Sequence, residues 1–178
     1  IFAQTMDIAD RLELTHVELD VQGDWLHQGQ WVAGSGLRVT ATGTLDNRGK
    51  LISNGAMQVG ASSLDNSGSL QAASTLRLDT SGALRNTGMI ASLGDQGWAG
   101  STLYNEGTFY SGGNLSLTAN NNLTNQYGTL LAERGASLKV NQGQLINASG
   151  TIDAGSGDLW LSAQDIVNKR AICSHKRL

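Results

Sequence analysis

The chain has 178 residues with a formal net charge of −3, 15% charged and 5% aromatic residues, 23 Gly and no Pro. Residues 1–168 hold all 15 acids against 8 of the 12 Lys and Arg, and so acidic a body leaves no footprint for nucleic acid or anionic lipid. No apolar run approaches the ~18 residues of a transmembrane helix, no signal peptide is visible, and a lone cysteine, Cys173, excludes an internal disulfide.

Residues 1–24 are already patterned, and they are read as irregular or partial coils leading into an array, within a piece of something longer. From residue 25 a phrase returns: Trp25, His27 and Gly29, then Leu45, Asn47 and Gly49. Leu64, Asn66 and Gly68 follow, then Leu84, Asn86 and Gly88, and Leu103, Asn105 and Gly107. At Leu123/Asn125 and Leu145/Asn147 the glycine slips one place later, to Gly128 and Gly150, and Ile166/Asn168 opens another copy. Anchor spacings of 20, 19, 20, 19, 20, 22 and 21 residues mark a stacked-repeat architecture over 25–168.

Within each copy the second residue after Gly is apolar, as at Leu51, Leu70, Ile90, Phe109, Leu130 and Ile152. A second apolar pair with one residue between follows: Leu37/Val39, Met57/Val59, Leu76/Leu78, Leu115/Leu117, Leu138/Val140 and Leu159/Leu161. Alternation of this kind is the period of a strand with one buried face. A unit of two or three short strands cannot bury that face alone. Winding the units into coils stacks Leu45, Leu64 and Leu84 at ~4.8 Å per rung. The predicted fold is therefore all-β, a right-handed parallel β-helix (solenoid) with coils of about 20 residues. Absence of proline fits, since proline removes a ladder donor. A leucine-rich repeat shares the period, but no unit contains a stretch able to form its convex helix.

The asparagines are expected to form an internal ladder through Asn47, Asn66, Asn86, Asn105, Asn125, Asn147 and Asn168. Asn tolerates turn conformations, and identical amides at rung spacing can bond one another. His27 reads as a variant of this column. The fourth copy departs from the pattern, because Leu93–Trp98 contains Gly94 and Gly97 and no clean apolar pair. It reads as a locally loosened coil with Trp98 covering an apolar edge. Residues 169–178 form a basic tail outside the repeat, breaking register from Ala171 as a truncated or frame-shifted reading frame would.

The runs Leu45-Asp46-Asn47-Arg48-Gly49-Lys50-Leu51 and Leu64-Asp65-Asn66-Ser67-Gly68-Ser69-Leu70 resemble the filamentous haemagglutinin repeat of large two-partner-secretion exoproteins. These include filamentous adhesins and the stalks of contact-dependent growth-inhibition effectors. The resemblance covers residues 25–168. It implies a β-helical filament secreted to, or held at, the surface of a Gram-negative bacterium. It also implies export through an outer-membrane transporter that recognises a region not seen in this sequence, and a receptor on a host or neighbouring cell.

Other chemistry is thinly represented. Asp46 and Asp65 share a frame position in adjacent rungs and should lie ~5 Å apart, a spacing that suits a retaining glycosidase. The next members of their column are Arg85 and Tyr104, so a solvated turn column is expected. Gly155-Ser156-Gly157-Asp158 occurs once, unlike a repeated calcium-binding roll. His16, His27, His175 and Cys173 lack ligand spacing, and Gly34-Ser35-Gly36 lies between strands instead of before a helix. Sequons at Asn114, Asn122 and Asn147 are expected by chance in such a composition. The reading is a non-enzymatic rigid shaft segment of a secreted surface filament, supporting adhesion or presenting a distal effector domain, with no cofactor or metal. A β-helical polysaccharide lyase or glycosidase is the alternative.

Overall fold

A computed structural model describes residues 2–3 and 11–174. The described residues contain strands, turns and bends but no helix, and every strand pairing is parallel. The coil is introduced by β1 (Phe2–Ala3), β2 (Arg11–Val21), β3 (Trp25–His27) and β4 (Gln30–Ala41). One regular coil then reads β5 (Thr44–Asn47), β6 (Lys50–Ser53) and β7 (Ala56–Ala61). Each is followed by a corner and then by its own image about 20 residues on, giving a parallel β-solenoid of about eight turns.

Three faces result. The first runs from β3 and β5 through Ser63–Asn66, Ala83–Asn86 and onward to Asp165–Lys169, an eight-stranded sheet. The second contains β6 and its images, and the third β7 and its images. They join as one 16-stranded sheet because β4 passes through both without a break. Gly34–Gly36 therefore lies inside a continuous strand and not between two strands. The preceding β2 pairs with β4 over both faces, with a bulge between Leu14 and His16.

Alternation decides what the interior contains. Leu45, Leu64, Leu84, Leu103, Leu123 and Leu145 stack on face one, Leu51, Leu70, Ile90, Phe109, Leu130 and Ile152 on face two, and all are buried. Burying a Leu or Ile contributes roughly 1.5–3 kcal/mol, so the stack as a whole carries what no single coil could. Register corrects one pair on face three. Leu115 and Leu117 align with Ala136 and Leu138, so Val140 falls one step on, opposite Ala119.

The fourth copy is also in register. Gln96 and Trp98 occupy the column positions of Leu76 and Leu78, and Trp98 is 2% exposed. Trp98 thus sits in the core instead of covering an edge, and its Nε1 donates to Thr80 Oγ1 at 3.1 Å. The room comes from Gly100, whose Cβ, were there one, would overlap Trp98 Cζ2 and Thr80 Oγ1. Gln96 beside it is buried with neither amide atom bonded. At the far end Ile172–Ser174 pair in parallel with Thr151–Asp153. Strand pairing therefore continues past Ala171, the point at which the sequence pattern breaks.

Candidate functional site: the buried amide ladder

Face one turns sharply after each Asn, and the turn explains both members of the Asn-x-Gly phrase. A Cβ at Gly68, Gly88 or Gly107 would overlap the carbonyl oxygen of the corresponding glycine one coil earlier, so the close approach of backbones requires glycine there. Where glycine comes one place later, the added residue adopts a left-handed conformation: φ is 58° at Tyr127 and 54° at Ser149. A Cβ at Gly128 or Gly150 would then meet the ladder amides themselves. Arg170 repeats the left-handed step with φ 52°.

The asparagines form one continuous chain of side-chain hydrogen bonds. Asn47 Nδ2 donates to Asn66 Oδ1 at 2.7 Å, Asn66 to Asn86 at 2.7 Å, and Asn86 to Asn105 at 2.8 Å. Asn105 donates to Asn125, Asn125 to Asn147 and Asn147 to Asn168, each at 2.8 Å. The same Nδ2 groups also meet backbone carbonyls of face two one coil on, as Asn86 does at Thr108 O (3.3 Å) and Asn125 at Thr151 O (3.2 Å). Residues 47, 66, 86, 105, 125 and 147 are no more than 2% exposed. From Asn66 to Asn125 each buried amide is thus satisfied from above, below and within its own turn, which offsets the cost of removing it from water.

At its first member the chain stops short. His27 stands where the column requires an amide, pairing with Asn47 across the rung. Its Nε2 faces Lys50 O at 3.2 Å, and Asn47 Oδ1 is left buried without a donor. Trp25 and Trp31 pack around the imidazole at ring distances of 5.1 and 5.4 Å. Burial lowers the His27 pKa below its ordinary 6.5, against smaller upward effects from the Lys50 and Gly29 backbones. At the other end Cys173 meets Asn147 Nδ2 at 3.6 Å, and burial pushes its thiol pKa up. Neither the unpaired Oδ1 nor the aromatic cluster was readable from spacing, because spacing marks a column without saying which atoms meet.

Outside the ladder the pattern's other residues remain dispersed. Asp46 accepts two bonds from Arg48, at 2.9 and 2.6 Å, while Asp65 on the next rung is exposed. Arg85 reaches Glu106 at 3.2 Å and lies 5.9 Å over the Tyr104 ring. This outward column runs Leu26, Asp46, Asp65, Arg85, Tyr104 and Thr124 along the rod. Asn114 and Asn122 are exposed, with Asn114 Nδ2 bonded to Asp95 and Asn122 Oδ1 accepting from Gln144 N, and Asn147 is wholly buried. Among the described residues no three of His, Cys, Asp and Glu come together as metal ligands; His175 lies outside them. No helix among them is long and apolar enough to cross a membrane.

The sequence profile of the haemagglutinin repeat matches residues 13–88 and 99–169. The unmatched stretch between them ends on Gln96 and Trp98, the two residues that depart from the column pattern. No curated protein and no solved structure matches the chain.

Proposed function

Because the chain belongs to the haemagglutinin repeat family, we propose that it is a rigid shaft segment of a surface filament, without catalytic activity of its own. The observation that carries this reading is the unbroken amide chain from Asn47 to Asn168. It fixes coil on coil at constant register, so the length of the rod follows the number of repeats. Secretion to the surface of a Gram-negative bacterium, through an outer-membrane transporter that acts on another region of the parent protein, fits this family. The shaft then supports adhesion to a host or neighbouring cell, or carries a distal effector away from the membrane.

Excision of one coil, residues 64–83, joins Ser63 to Leu84 in register. The expected product is folded and shorter by one rung, ~4.8 Å, by small-angle scattering at unchanged cross-section. A product that unfolds, or whose length does not change, would sink the shaft reading. Binding of the purified segment to host or bacterial cells separates the adhesive role from the presenting one.

A further inference from the structure

Three of the four tryptophans, Trp25, Trp31 and Trp98, are at most 3% exposed, whereas Trp160 is 53% exposed. It points outward from face three, paired with Ser137, which pairs with Ser116 and then Gly97. Small side chains on three consecutive rungs leave a flat shelf, ~14 Å long, ending on the indole. Beside it a groove of ≈ 410 Å³ is lined by Ser116, Arg134, Ser137, Asp158 and Trp160. Arg134 and Asp158 are exposed, and neither side chain is engaged within the described residues.

We propose that this shelf binds neutral pyranose sugars, with Trp160 as the platform and Asp158 and Arg134 as the hydroxyl-recognising pair. A pyranose ring presents an apolar C–H face bounded by an edge of hydroxyls. The indole covers the face, the carboxylate accepts two hydroxyl hydrogens, and the guanidinium fork donates two bonds in its own plane. Their charges cancel, which favours neutral over acidic sugars. A polypeptide hot spot would need further apolar side chains around the anchor. None of the other exposed large apolar residues, such as Leu26, Met89 and Leu93, stands on face three. The groove beside Asp46 and Arg85 is less suited, since both of these charges are already paired and no aromatic side chain lines it.

The inference deepens the adhesive branch of the function proposed above and rests on it. The test titrates the full chain with maltotriose, cellotriose and chitotriose, following indole fluorescence and calorimetry. Binding with millimolar Kd is expected. Trp160→Ala should weaken it by about tenfold or more, Trp160→Phe less, and Asp158→Asn or Arg134→Gln by several-fold, all with unchanged Tm. No binding by the unaltered chain, or binding that Trp160→Ala leaves intact, would overturn the proposal. Binding of unfolded polypeptide alone, lost on Trp160→Ala, would overturn it in favour of a protein partner. None of these substitutions touches the coil stack, so failure here leaves the rod length, and with it the shaft, unaffected.

Discussion

Face one and face three solve the same problem, filling the inside of a corner coil after coil, by unlike means. Face one repeats a residue: every corner from Asn47 to Asn168 carries the same amide, and those from Asn66 to Asn147 are bonded to the one before and the one after. Face three repeats only a volume. There Leu78 is followed by Trp98 and then Leu117, and the extra rings are accommodated by Gly100 in a column that elsewhere holds Ala61, Thr80 and Ala119. Directional bonds forbid local compensation, because a changed amide strands partners on two neighbouring coils. Dispersion contacts permit it, because a gap opened on one coil can be filled from the next position.

The contrast can be broken most forcefully at Trp98. Trp98→Ala should cost about 3–5 kcal/mol, read as a fall in Tm and in the denaturant midpoint. Compensation itself is testable by a double-mutant cycle. Gly100→Ala alone should destabilise by ~1–3 kcal/mol through overpacking, and it should cost less in a Trp98→Leu background, where the ring is gone and only Thr80 is struck. Equal costs in the two backgrounds would show that Gly100 does not make the room.

On face one, Asn86→Leu should cost about 1–3 kcal/mol, since Asn105 Oδ1 loses its donor and Asn66 Nδ2 an acceptor. No second substitution in a neighbouring coil should restore it. A melting curve equal to the parent's would argue against a ladder that contributes to stability. Gln96→Leu should go the other way and stabilise by ~1 kcal/mol or more, because the amide it removes has no partner. A loss of stability there would mean that the buried amide is satisfied after all.

The smallest effect belongs to the column's first position. His27→Asn supplies the missing donor to Asn47 Oδ1 and should stabilise by up to ~1 kcal/mol. It should also alter the response to acid. Since the folded chain holds the imidazole neutral below its ordinary pKa of 6.5, the unfolded chain takes up its proton first. The His27 contribution is therefore intact above pH 6.5 and is lost as pH falls below that value, until the folded-state pKa is passed. Urea midpoints compared at pH 7.5 and pH 5 should converge between parent and variant at the higher pH relative to the lower one. An identical pH slope in both would remove His27 from the account.

These differences also determine what could be read beforehand. Identity repeated at fixed spacing, as in Asn47, Asn66 and Asn86, is visible in a string of letters, and so were the coil length and the inward set on faces one and two. Volume is not visible in that way. The stretch Gln96-Gly97-Trp98-Ala99-Gly100 looks like a broken strand until Gly100 is seen opposite the indole, and Val140 looks like part of a pair until register assigns Ala136 in its place. The extended pairing of Ile172–Ser174 was hidden for a related reason: strand pairing is made by backbone groups and persists where the side-chain pattern has ended. The exposed Trp160 carried no periodic signal at all, since outward positions are free to vary.

The hydrogen bonds between asparagines all run the same way, from the Nδ2 of one coil to the Oδ1 of the next. Amide dipoles lined up in that sense add, as peptide dipoles do along a helix, so the core contains a directional wire as well as a scaffold. Its two termini are chemically unlike: one offers a carbonyl oxygen, the other an N–H. A coil laid down in the opposite sense would bring like ends face to face. The sense of the stack is thus written in a row of side chains that is buried from Asn47 to Asn147.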